Sequence, residues 1–305
     1  MTEPNTGAVT ADPLLVGAID IHHHGYPEIS FDQRMPLDDA AELRHARAAG
    51  MVGIVFKSHM WPTCAKVHVL GDLVPGITAY SSLTMNPIAG GFSPIAVESA
   101  ARQGASFLFF PTWGALHDRH RGGFSSHLGH MLERAAGLDT SGALTVLDEA
   151  GRVRPEVREC LAVAGEFRMA IGTGHISPAE SLAVAEAAKD YGVEEIFFQH
   201  PDSNSVAASR DEILEMARRG AVIELCALGL LPPLQRIKPA WMVEIIEAVG
   251  ADQCVLTTDT FFEWAPPAAE TLRMTARILV SMGVHEDTIR VLVRDVPRRL
   301  LHLDA

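Results

Sequence analysis

Short apolar runs recur along the chain, each followed by a segment of helical character. "LLVGAIDIHHH", "VGIVFKSH", "GITAYSSL", "ASFLFFPT", "RMAIGTGH", "EEIFFQH", "AVIELCA" and "QCVLTTD" read as eight strands. Between them lie helical patterns such as "PLDDAAELRHARAAG", with acids in its first turn and Gly50 at its end, and the segment around "PIAVESAARQG". "SPAE" reads as a helix start, with Ser177 as N-cap, Pro178 in the first turn and Glu180 closing a capping box; "SRDE" is a second. "PEVRECLAVAGEF" and "DEILEMARRG" have the spacing of helices that cover a sheet.

This alternation signals βα units and a parallel sheet. Eight strands fit a (β/α)8 TIM barrel better than an open doubly wound sheet. The absence of G-x-G-x-x-G after the first strand weakens the dinucleotide-binding alternative. The stretch from Trp113 to about Ser141 has weak periodicity, several glycines and many histidines, so a long lid-like loop is expected after strand four. We read residues 1–305 as a single domain, with 1–13 as a flexible N-terminal segment.

The polar residues that end these strands carry the chemistry, because a TIM barrel places its site at the C-terminal ends of its strands. "AIDIHHHGYPE" raises the question first: the three histidines follow an apolar run, unlike a purification tag in a polar terminus. In a strand His22 and His24 share one face and His23 takes the other, where it is structural. The other strands end in Lys57 and His59, Thr112 and Trp113, His175, His200, and Asp259. Imidazole and carboxylate suit a divalent cation, and a bound ion lowers the pKa of its water from 15.7 to about 7. Asp259 then serves as a proton shuttle. His59 and the pair Thr112 and Trp113 are candidate substrate contacts; support of the ligands from behind is the equal alternative for His59, and packing of the lid against the barrel the competing use of Trp113.

Composition narrows the partners. Lys plus Arg total 25 against 38 for Asp plus Glu, a formal net charge of −13, which argues against a phosphate-backbone footprint. No basic leader or membrane-length apolar stretch is visible, so a cytoplasmic protein acting on a small-molecule substrate is expected, with neither nucleic acid nor membrane as partner. Homo-oligomerisation has no signature, although it is common among soluble enzymes. Cys64, Cys160, Cys226 and Cys254 are far apart, without a C-x-x-C pair, and read as buried free thiols.

"DIHHH", "TGH", "QHP" and "TTD", in that order, resemble the strand-end metal motifs of the amidohydrolase superfamily, and "VRDVPRRLLHL" resembles its terminal helix. "VFKSH", "GGFSP", "FFPT", "GTGHIS" and "QHPD" together resemble a poorly characterised branch of its metal-dependent hydrolases. The resemblance spans roughly residues 14 to 303. It implies a distorted TIM barrel and one or two divalent ions, zinc foremost, with manganese, iron or cobalt as alternatives. His22, His24 and Asp259 become ligands of one metal; His175 and His200 become ligands of a second.

The departure lies in the bridge. Relatives with two metals usually carry a carboxylated lysine or a glutamate at strand four, where this chain has "FPTW". Lys57 is the lysine placed to substitute, as a carboxylated bridge; the competing role is an ammonium that binds a substrate carboxylate or oxyanion. At strand eight "TDTFF" stands where the nearest branch has "SDLGQ", so the substrate is expected to differ.

The resulting expectation is hydrolysis of an amide, imide or lactam C–N bond, or a related ester or lactone, by metal-bound hydroxide. A mononuclear decarboxylase is the alternative. A phosphoesterase and a non-catalytic binding barrel rank below both.

Overall fold

A computed structural model describes residues 10–136 and 138–303. Eight strands, β1 (Ile19–His24), β2 (Gly53–Lys57), β3 (Thr78–Thr84), β4 (Ala105–Phe109), β5 (Ala170–Gly172), β6 (Ile196–Phe198), β7 (Val222–Cys226) and β8 (Cys254–Thr257), lie in sequence order in one sheet. Every neighbouring pair is parallel. Asp259 N donates to His22 O at 2.8 Å, and Thr258 reaches Asp20, drawing the last strand back to the first. This nearly closed (β/α)8 barrel is the fold expected from the strand and helix pattern.

Two apolar layers position it. Inside, Ile19, Ile21, Val55, Phe107, Phe109, Ala170, Phe197, Val222 and Val255 fill the lower barrel, and Val296 and Leu300 of the C-terminal helix plug its floor. Outside, a larger cluster from Leu14 to Val293 packs the helices on the strands. Each fully buried Phe or Ile contributes about 1.5–3 kcal/mol relative to exposure, so the floor beneath the polar end is rigid. Both capping boxes form, Ser177 with Glu180 and Ser209 with Glu212.

The segment after β4 is more ordered than its sequence suggests. It holds two helices, Leu116–Arg121 and Phe124–Met131, too short for periodicity to reveal them. Their junction needs glycine: a Cβ at Gly123 would lie 2.5 Å from both Asp118 and Ser205 side chains. Of the N-terminal segment expected to be flexible, residues 1–9 lie outside the described residues. Asp12 is fixed by ion pairs to Arg273 and Arg277. All four cysteines are free and buried. Among the described residues no helix is long and apolar enough to cross a membrane.

Candidate active site

The upper end of the barrel is polar because the inward-facing series changes character there. On β7 Val222 is followed by Glu224 and Cys226, and on β8 Val255 by Thr257 and then Asp259. On β1 simple alternation would set His22 and His24 on the face opposite Ile19 and Ile21. The register shifts by one residue between Asp20 and His23, so both isoleucines pack inside while His22 and His24 also turn inward above them. His23 faces outward against Phe56, and burial pushes its pKa down to about 3, so it is neutral.

The histidines are held by acceptors on Nδ1. His22 Nδ1 lies 2.8 Å from Glu224 Oε1, and His175 Nδ1 2.7 Å from Asp118 Oδ2. His24 Nδ1 is 3.1 Å from Glu28 Oε1, close enough for an ion pair although misaligned for a hydrogen bond. Ser203 Oγ stands 3.3 Å from His200 Nδ1. A carboxylate on Nδ1 assigns the proton to that nitrogen and leaves the Nε2 lone pair facing the centre.

There the groups converge. Asp259 Oδ1 lies 3.0 Å from His22 Nε2 and 3.1 Å from His24 Nε2. One ligand atom each from His22, His200 and Asp259 fall within 4.8 Å of one another. His200 and Asp259 have φ of 23° and 55°, a backbone region unfavourable for both, held by the surrounding structure. Two imidazole lone pairs aimed at one carboxylate oxygen repel unless a proton or cation is shared among them. The donor set therefore fits a divalent cation.

The charges follow from that crowding. Burial opposes ionisation of Asp259, but His22 and His24 outweigh it and hold the carboxyl well below the usual range. For His22 burial is likewise the largest influence and lowers its pKa, yet Asp259 and Glu224 together lift it to about 9 while no cation competes with the proton for Nε2. Lys57 is fully buried, with Nζ 3.0 Å from His22 Nε2 and 4.9 Å from the centre of the Phe109 ring. Burial lowers its pKa against the pull of Asp259 and Glu224. His200 is held well below its ordinary value by burial, and His175 is lowered by burial against the pull of Asp118.

Thr112 and Trp113 stand behind His59. The Thr112 hydroxyl accepts from Asn86 Nδ2 at 2.6 Å and donates to His59 Nδ1 at 2.9 Å, while Trp113 Nε1 donates to the His59 carbonyl at 3.1 Å. His59 thus keeps its proton on Nε2. Its ring stacks on Phe124 at 4.0 Å and lines a cavity of about 250 Å³ together with His175, His200 and Asp259.

Glu224, Asp118, Glu28 and Asn86 escaped the sequence reading. Glu224 left a signal, a lone carboxylate in the apolar run "AVIELCA"; Asp118 and Glu28 left none, being polar residues in polar segments. The lid histidines have other uses: His117 Nε2 donates to the Val206 carbonyl at 3.0 Å, and His120 and His130 are exposed.

The family described as "Family of unknown function (DUF6282)" matches residues 17–224, more than half of the chain. The chain belongs to that family. Among curated proteins no sequence matches it significantly. The DUF6282 chain is similar in fold to an amidohydrolase from Pseudomonas aeruginosa (TM-score 0.60, 12% identity, 95% of this chain and 97% of the other). It is similar to the probable dipeptidase PvdM of the same organism (TM-score 0.60, 12% identity, 94% of each chain). A variant of an organophosphorus hydrolase from Deinococcus radiodurans is also similar (TM-score 0.57, 16% identity, 97% and 96%). At such identities the likeness establishes the barrel, the fold that the amidohydrolase resemblance implies for this DUF6282 member.

Proposed function

We propose that the protein is a metal-dependent hydrolase of the amidohydrolase type, cleaving a C–N bond in a small amide, imide or lactam, with an ester or lactone as the neighbouring class. The observation that carries this reading is the convergence of His22 Nε2 and His24 Nε2 on one oxygen of Asp259. With a single divalent cation, zinc foremost by donor type, His22, His24, Asp259 and His200 would hold it; with two, His200 and His175 would hold the second, and carboxylated Lys57 would be the candidate bridge. When bound, such a cation polarises a carbonyl oxygen and makes water acidic enough to ionise near neutral pH.

The chain's own residues supply the rest. Asp259, ionised at neutral pH, takes a proton from the attacking water and delivers it to the leaving nitrogen. Glu224 and Asp118 hold His22 and His175 in one tautomer. His59, with its proton on Nε2, can donate to a substrate oxygen across the cavity. Phe124 and Phe261 wall the cavity and limit water.

The test is metal content per chain by elemental mass spectrometry on untagged protein purified without chelator, beside Lys57→Ala. Two ions falling to one or none support a bridge by carboxylated Lys57. One ion, unchanged by the substitution, makes Lys57 a substrate-binding ammonium. No ion in either protein, and none taken up on reconstitution, overturns the reading. A single-metal decarboxylase is the second reading, favoured by the lack of a bridging side chain at Pro111 and Thr112 beyond β4. Release of carbon dioxide without a new carboxylate separates it from hydrolysis.

A further inference from the structure

We propose that Arg236 selects the substrate and that the substrate carries a carboxylate docked on its guanidinium, an inference that rests on the hydrolase reading of the same cavity. Arg236 lies in the loop after β7, away from every strand end, yet it lines the cavity with His175, His200 and Asp259. Its backbone N donates to Gly229 O at 3.0 Å, and its Nε donates to Asp202 Oδ2 at 2.6 Å. The Asp202 side chain is 2% exposed and that of Arg236 17%, so the pair is built into the wall.

A guanidinium carries five donors in one plane, and the Asp202 contact uses only the Nε edge. Among the described residues the two Nη nitrogens have no partner. They form a fixed fork of the shape that a carboxylate accepts in a bidentate manner. A group held this rigidly loses little freedom when it binds, so its hydrogen bonds translate into affinity.

The charge balance chooses the anion. Among the cavity-lining residues the sole carboxylate is Asp259, already engaged by His22 and His24. Asp202 offsets the single charge of Arg236, so the neutral pair suits a monoanion recognised through directed hydrogen bonds over one that needs net charge. A phosphate dianion would set a second charge, unmatched, against the Asp202 carboxylate. The cavity of about 250 Å³ limits the ligand to a small molecule. Arg236 and the His–Asp cluster line the same cavity and thus suit a compact amide or lactam that bears a carboxylate besides the bond to be cut.

The test uses calorimetric titration of the full chain as purified, at fixed ionic strength, with matched pairs: benzoate and benzamide, succinate and succinamide, pyroglutamate and its amide. Phenyl phosphate represents dianions. Arg236→Met is combined with Asp202→Asn so that no buried carboxylate is left unpaired, and Arg236→Lys keeps the charge without the fork.

Wild type is expected to prefer the carboxylate of at least one pair by tenfold or more. The preference should fall about ten- to a hundredfold in the double variant, the range for charged hydrogen bonds, and recover only in part in Arg236→Lys. Equal binding of carboxylate and amide in every pair, no binding of any carboxylate, tighter binding of phenyl phosphate, or a preference that survives in Arg236→Lys at full strength each overturn the proposal. Should the double variant lose its circular dichroism, Arg236→Lys carries the decision alone. Metal content measured on the same samples tests the hydrolase reading separately: a wild type that holds no metal and takes none up on reconstitution, yet prefers carboxylates, sinks that reading and leaves the Arg236 subsite standing.

Discussion

Glu224→Gln isolates what a buried carboxylate does for the cluster without altering its shape. Glu224 is fully buried. Its Oε1 accepts from His22 Nδ1 at 2.8 Å and Thr257 Oγ1 at 2.9 Å, and its Oε2 accepts from the His200 backbone N at 2.7 Å. Glutamine has one carbonyl oxygen, so whichever way it turns an amide N–H meets another donor. The better orientation keeps the His22 and Thr257 contacts and strands the His200 N–H opposite the amide. Two unsatisfied buried donors at about 1–3 kcal/mol each predict a stability loss of about 2–6 kcal/mol. Loss of the negative charge also weakens the hold on the His22 ring, and mutation of such an orienting partner costs about 10–100-fold in metal affinity.

The assays are urea denaturation of the metal-free protein and competition for zinc against a chromophoric chelator. Affinity within twofold of wild type, in a variant with native circular dichroism, refutes the claim that Glu224 fixes His22. Loss of stability with unchanged affinity would assign Glu224 to the barrel alone.

Two further outcomes follow from buried carboxylates elsewhere. Asp118 receives His175 Nδ1 and also the backbone N of Phe124 and Ser125 at 2.9 and 2.7 Å; Asp118→Ala should therefore speed hydrogen exchange at these two amides several-fold, consistent with about 0.5–2 kcal/mol for a lost cap, while barrel strands keep their protection. Burial lifts Glu42 from an ordinary 4.5 to about 8, against a hydrogen bond from Ala268 N. A raised folded pKa contributes no penalty below 4.5 and a growing one as pH rises from 4.5 through about 8. The gap of about 3.5 sets an upper limit of about 5 kcal/mol. Glu42→Gln, a neutral mimic of the protonated acid, should gain on wild type by up to about 1.4 kcal/mol per pH unit between pH 5 and 8 in urea titrations; a difference independent of pH refutes this.

The barrel was legible because its signals are local. Apolar runs bounded by helix starts announce βα units, and Ser177 with Glu180 or Ser209 with Glu212 need only three residues of separation to form their caps. The candidate ligands were legible for a related reason: in a parallel barrel every strand ends at the same mouth, so His22, His24, Lys57, His175, His200 and Asp259 could be gathered by topology alone. The short helices at 116–131 were not, since six and eight residues carry too little periodicity, and the cap of the second comes from Asp118, engaged also with His175.

What the chain by itself determined is thus the order of elements and the identity of the residues at their ends, both properties of short sequence windows. Tertiary structure decided how those residues are used. The one-residue bulge in β1 turned His22 and His24 to the same side as Ile19 and Ile21, although alternation separates them. Glu224 and Asp118 became acceptors for imidazoles 202 and 57 residues away, and Glu28 came within 3.1 Å of His24 Nδ1. Thr112 and Trp113 came to support His59 from behind, and Arg236 joined the cavity wall. Each of these depends on distances across the barrel, and such distances are set by the packing of the whole sheet.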